Sequence, residues 1–190
     1  METKKLMLHS LNVSEYSDLE IECLKVENIK EYVEMYLAYN AIHNKKTGQA
    51  RISTYVKAHQ AKMGEIVDNR PIVERNGKRY IIGNTVTKIK DNGLMVVQNL
   101  NGECEVVNQN DFAKKYKPTN ESGIYKVDEN PILFVMLHQD IAFTSSNGKT
   151  VYGLKGGVLN ITDLDNISVI QKENFKNMYV EQQKNEEAIL

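Results

Sequence analysis

Residues 93–116, GLMVVQNLNGECEVVNQNDFAKKY, recur in altered form at residues 157–179, GVLNITDLDNISVIQKENFKNMY. In each copy a leucine stands seven positions after the leading glycine, Gly93 to Leu100 and Gly157 to Leu164. Each then reaches an aliphatic pair, Val106-Val107 and Val169-Ile170, and closes on two rings four apart, Phe112/Tyr116 and Phe175/Tyr179. A single deletion in the second copy, between Leu164 and Val169, brings the copies into line. A repeat names the structural unit before any propensity is weighed, because both copies must solve the same packing problem. Here the unit is a set of short, turn-separated strands finished by one helical turn. That pattern predicts two small, partly open SH3-like barrels side by side, since small β-units close or cover their edges.

The chain before the repeat changes period. Residues 5–11 are apolar-rich, and Leu19, Ile21 and Cys23 alternate with Glu20 and Glu22, the mark of half-buried strands. Asn28 followed by Glu31 is a capping-box pattern that opens a helix. Ile29, Val33, Tyr36, Leu37 and Ala41 share one face of it, and Tyr32, Met35 and Tyr39 form a second stripe. Ile52, Tyr55, Val56, His59 and Met63 fit helical spacing, so a second helix is expected over residues 49–63, ending at Gly64. Together these read as an αα-hairpin.

From Pro71 the pattern is β. Asn76-Gly77 is a two-residue hairpin signal between residues 71–75 and 79–83. Residues 85–90 and 94–98 flank a second turn, Asp91-Asn92-Gly93, and residues 103–107 supply a third strand. Residues 117–130 read as a linker. The expected fold class is α+β: N-terminal strands and a helical hairpin, then two repeated small β-barrel-like (SH3-like) modules. The corresponding regions are 1–66, a first module at 67–117, a linker at 118–130, a second module at 131–180 and a tail at 181–190.

With 190 residues, 41% hydrophobic and 26% charged, the chain can bury a core. Its net charge of −1 offers no general attraction to polyanions, but residues 43–90 carry a net +8 between flanks that are acidic. Cys23 and Cys104 are isolated, which predicts reduced thiols and a cytosolic setting. No run approaches the length of a membrane span, and the N-terminus lacks a signal-peptide pattern.

The catalytic inventory is poor. His9, His43, His59 and His138 are scattered without a metal-ligand spacing, so neither a metal nor a cofactor is expected. Asp163 and Asp165 have asparagines, Asn99 and Asn101, at the matching places of the other copy, which points to turn chemistry rather than catalysis. Lys45-Lys46-Thr47-Gly48 lacks P-loop spacing, and the glycines around Lys155 precede a strand instead of opening a helix.

The glycine-led strands at residues 93–96 and 155–161, with the terminal Phe112/Tyr116 and Phe175/Tyr179, resemble a short β module of small phage and prophage proteins. The typical copy of that family spells its strand PGDY, which neither copy here does, and the resemblance leaves the helical hairpin outside. It implies a phage or prophage accessory protein in the bacterial cytoplasm, with no enzymatic role to carry over. The expected function is therefore non-enzymatic binding of a host protein, such as inhibition of a bacterial defence system. The alternatives are nucleic-acid binding by the basic segment and small-ligand sequestration between the barrels. The surplus of aromatic residues on the hairpin places the contact at Tyr32, Tyr39, Lys45, Lys46 and Arg51, for a target or for a second copy of the chain.

Overall fold

The computed structural model describes residues 2–11, 18–43, 47–83 and 86–182. The chain begins with β1 (Thr3–Ser10), β2 (Leu19–Val26), α1 (Ile29–Ile42), β3 (Gly48–Ile52), β4 (Tyr55–Gln60) and β5 (Ile66–Val67). It continues with β6 (Ile72–Arg75), β7 (Lys78–Ile82), β8 (Thr87–Lys88), β9 (Leu94–Gln98), β10 (Cys104–Asn108), α2 (Gln109–Lys115), β11 (Tyr116–Pro118) and β12 (Ile124–Val127). The last part holds β13 (Ile132–Met136), β14 (Ile141–Thr144), β15 (Thr150–Gly153), β16 (Val158–Asn160), β17 (Ser168–Ile170), α3 (Lys172–Met178) and β18 (Tyr179–Glu181). The fold is α+β and predominantly β.

Two five-stranded sheets have matching orders, β10-β9-β4-β12-β11 and β17-β16-β13-β3-β18. In each, three strands meander, a two-turn helix follows, and the final strand comes back beside a strand from elsewhere in the chain. The registers also match. Tyr116 pairs with Val127 as Tyr179 pairs with Ile52, and Val107 pairs with Met95 as Ile170 pairs with Val158. These pairings set the copies at one constant spacing, Gly93 to Gly156 and Tyr116 to Tyr179, so the deletion expected between Leu164 and Val169 is not needed. Gly93 and Gly156 both hold positive φ at the entry to the strand, a conformation only glycine adopts without strain.

The strands that complete each sheet are exchanged. β3 directly precedes β4, with only Ser53-Thr54 between them, yet β3 pairs with β13 and β18 of the second sheet. Reciprocally, β12 directly precedes β13 but pairs with β4 and β11 of the first. Each module thus borrows its first strand from the other. A third sheet, β15-β14-β2-β1-β7-β6, joins the N-terminal hairpin to two hairpins inserted between the meander strands of the modules. α1 packs between this sheet and the second module, burying Val33 against Val26, Val135, Phe143 and Leu159.

Several expectations require correction. Residues 49–63 are not a helix but β3 and β4, so there is no helical hairpin. β4 alternates buried Val56 and Ala58 with exposed Tyr55, Lys57 and His59. Ile52, Thr54 and Val56 are β-branched, and the long-range ladder outweighs a five-residue match to helical spacing. The segment read as a linker carries β12, bound into the first sheet on both sides. Neither module is therefore confined to 67–117 or 131–180, because β3 and β4 lie before both. β8 pairs with β5 instead of forming a hairpin with β9. Residues 183–190 of the expected tail lie outside the described residues. The Asn76-Gly77 hairpin forms as read, both residues at positive φ.

Candidate functional site

α1 begins where Asn28 caps it, its Oδ1 accepting from the backbone N–H of Lys30 (3.1 Å) and Glu31 (3.2 Å). The two stripes expected on this helix divide. Tyr32, Tyr36 and Leu37 pack with Ile29 against the core shared with the second module. Met35, Tyr39 and Ile42 face solvent, 68%, 50% and 78% exposed, at the i, i+4, i+7 spacing of one helical face. The Tyr39 ring lies 4.2 Å from that of His43. Tyr32 is thus part of the core contact and Tyr39 part of an open apolar strip. Lys45 and Lys46 lie outside the described residues. Arg51 sits on β3, on an opening shared with Lys115 and Tyr179, not on the face of α1.

The basic segment does not form a helical stripe, since the helix meant to carry it is two strands. Three of its arginines are engaged. Arg70 forms a two-pronged pair with Asp68, Arg75 pairs with Asp140, and Arg79 donates to the Asn101 carbonyl (2.5 Å). The Arg70 guanidinium holds the Asp68 carboxyl below its usual range.

The repeat's closing motif builds a second feature. Phe112 and Phe175 are both 8% exposed and occupy equivalent places in the two module cores. Of the tyrosines one turn later, Tyr116 packs in the first module's core and Tyr179 packs against both cores, and the two line one cavity of about 370 Å³. Equivalent positions meet across it: Glu105 and Ser168, Lys115 and Met178, Val127 and Ile52. That is the arrangement a local two-fold relation between modules produces. Its apolar lining comes from Ile52, Val56, Val97 and Val127, and its polar lining from Glu103, Glu105, Glu129 and Lys115.

Tyr116 donates its hydroxyl to Glu105, while Lys115 Nζ lies 3.5 Å from Glu105 and 3.3 Å from Glu129. Burial, then the Glu105 hydrogen bond, raises the Tyr116 phenol far above its ordinary value. The Tyr179 phenol is pushed up to about 12, by burial first and then by Glu129 and Glu105. One end of the cavity is closed by an amide network that the sequence reading missed. Asn99 and Asn101 donate to Asn174 Oδ1, Asn174 donates to Glu103, and Asn177 donates to Asn101 (2.9 Å). Only the asparagine richness of the two copies hinted at it. The residues come together through the fold, not through spacing.

Among the described residues no group of three or more His, Cys, Asp and Glu is placed to hold a metal ion. Nor is any described helix long and apolar enough to cross a membrane. No protein-family model matches the chain, and no curated protein or solved structure does.

Proposed function

We propose that this chain is a non-catalytic binding protein of the phage or prophage accessory kind, blocking a host protein by direct contact. Each five-stranded sheet with its closing helix is read as an SH3-like module: a three-strand meander, a short helix, then a last strand beside the first. The two modules and the N-terminal sheet form a platform on which α1 is fixed by its inner face. The observation that carries the reading is the outer face of that helix. Met35, Tyr39 and Ile42 form an apolar strip at least half exposed to water, on a helix whose other side is packed into the core. Preformed apolar and aromatic anchors of this kind bind with little ordering cost. Inhibition of a bacterial defence protein is the role that fits a small contact-only binder. Nucleic-acid binding is the weaker alternative, because the charges of the basic segment are spread over several strands and partly paired.

The test is a double substitution, Met35→Ser with Tyr39→Ser. The variant keeps the parent's unfolding midpoint and loses the protein partner that the parent retains from nuclease-treated host lysate, or loses self-association seen by light scattering. A variant with unchanged partner and mass removes α1 from the working surface. Partner loss on nuclease treatment of the parent favours nucleic acid instead.

A further inference from the structure

We propose that the cavity between the modules is a second binding site, independent of α1, and that it takes a compact organic cation: an ammonium or guanidinium head on an apolar body. The cavity's volume of about 370 Å³ lies within the range of small-molecule sites. Its lining sets the sign of the ligand. Glu103, Glu105 and Glu129 stand against Lys115 as the charged groups of the wall. Glu103 already accepts from the Ile72 backbone N–H, Asn99 and Asn174, so it anchors the network. Glu105 and Glu129 are different. A carboxylate accepts at about four lone-pair sites, and among the described residues Glu129 is approached by Lys115 while Glu105 is approached by Lys115 and Tyr116.

The chain itself shows what this wall recognises. Lys115 Nζ stands 5.2 Å from the centre of the Tyr116 ring, between the two carboxylates. That is an ammonium held by anions and a π face together. Its 3.3 and 3.5 Å separations are longer than the roughly 2.7–2.9 Å of a tight charge-assisted hydrogen bond. The carboxylates therefore keep capacity for a second cation.

The opposite wall supplies the rest. Tyr179 is the symmetry mate of Tyr116, but its hydroxyl bonds to no described residue, because Ser168 stands where the first module has Glu105. The Tyr179 ring and free hydroxyl, with Met178 in place of a lysine, leave an apolar, hydrogen-bonding wall for the ligand body. At the outer opening Arg51, Lys114 and Lys115 are set against Asp128 and Glu129, whereas the cavity wall sets Glu103, Glu105 and Glu129 against Lys115. An anionic ligand would be repelled by carboxylates that are partly open to water, with Glu105 47% and Glu129 36% exposed, and a neutral one would gain no charge-assisted hydrogen bond from them.

The test uses three probes of one shape: benzylamine (cationic at neutral pH), benzyl alcohol and benzoate, titrated into the isotope-labelled full chain and followed by amide resonances. Benzylamine shifts the signals of Glu105, Lys115, Ser168 and Tyr179. Benzyl alcohol binds at least about tenfold more weakly and benzoate not at all, as expected when a charged hydrogen bond carries the affinity. Glu129→Gln weakens benzylamine binding by about tenfold with the unfolding midpoint unchanged, and Met35→Ser with Tyr39→Ser leaves it as in the parent. Equal binding of the three probes, no binding of benzylamine, shifts confined to other surfaces, or an unaffected Glu129→Gln variant each overturns the proposal.

Discussion

The two modules share strand order, register and the Phe-x-x-x-Tyr closure, but they fill their cores in opposite ways. In the first, Phe112 meets the edge of Tyr125 on the borrowed strand at 4.8 Å, and the neighbouring strand contributes the small Ala58. In the second, Phe175 packs on Phe134 of the resident strand at 4.7 Å, and the borrowed strand contributes the small Ala50. Large and small residues trade places between equivalent strands. The difference explains the exchange. If β3 stayed with β4 and β12 with β13, two alanines would fall to one core and Tyr125 with Phe134 to the other. One core would hold a void and the other would be overfilled, and both faults cost stability. The strand swap is thus written into side-chain volume.

The sharpest test of the comparison is to remove its common element. Phe112→Ala and Phe175→Ala should each lower stability by about 3–5 kcal/mol, read by denaturant unfolding. Because the modules share strands, both should move one cooperative transition. Two separate transitions would show that the exchange does not couple them. A smaller effect separates the paired glycines. A methyl on Gly48 would overlap the Phe134 ring, whereas one on Gly123 has the Ala58 carbonyl as its nearest neighbour, at 3.6 Å. Gly48→Ala should cost about 2–3 kcal/mol as overpacking, and Gly123→Ala about 1 kcal/mol from its positive φ.

The helix caps differ in the same spirit. Asn108 caps α2 by accepting from the Asp111 N–H at 2.9 Å. Gln171 holds that place before α3 but turns inward, accepting from the Leu154 N–H and donating to the Tyr152 carbonyl. Asn108→Ala should cost about 1 kcal/mol as a lost cap. Gln171→Ala should cost about 1–3 kcal/mol through the backbone groups it leaves unpaired. Thermal unfolding of the two variants side by side checks the order.

The last expected effect is a pH dependence. Tyr179, pushed up to about 12 in the folded chain, has an ordinary phenol value of about 10 once unfolded. Its folded pKa is the higher, so the stability it contributes is fully present below about pH 10 and is lost as pH rises through about 12. Tyr179→Phe should flatten that fall, as measured by denaturant unfolding across the same interval.

The sequence disclosed what repeats locally and concealed what depends on partners far away. The equivalence of Phe112 with Phe175, the Asn76-Gly77 turn and the Asn28 cap each rest on a few adjacent residues, and each could be read directly. β3 and β4 could not. Ile52, Tyr55, Val56, His59 and Met63 satisfy a helical period, and only pairing with residues 35–41 and 82–86 positions away makes residues 48–52 and 55–60 strands. The cavity was hidden for a related reason. Glu105, Glu129 and Tyr179 share no motif and meet only because the two copies face each other. On α1, the apolar surplus was visible in the sequence, but which half of it turns outward depended on where the second module lies.

Strand exchange also sets the order in which synthesis permits folding. β3 leaves the ribosome early but finds its partners only when β13 and then β18 have been made, at residues 132–136 and 179–181. The first module likewise waits for β12. Neither unit can fold vectorially while the nascent chain is short, and β3 must remain an unpaired, sticky edge through most of translation. Such high contact order slows folding and lengthens the time in which intermediates expose apolar strands to aggregation. Expression at reduced translation rate or with added chaperones should therefore matter more for this chain than its size suggests.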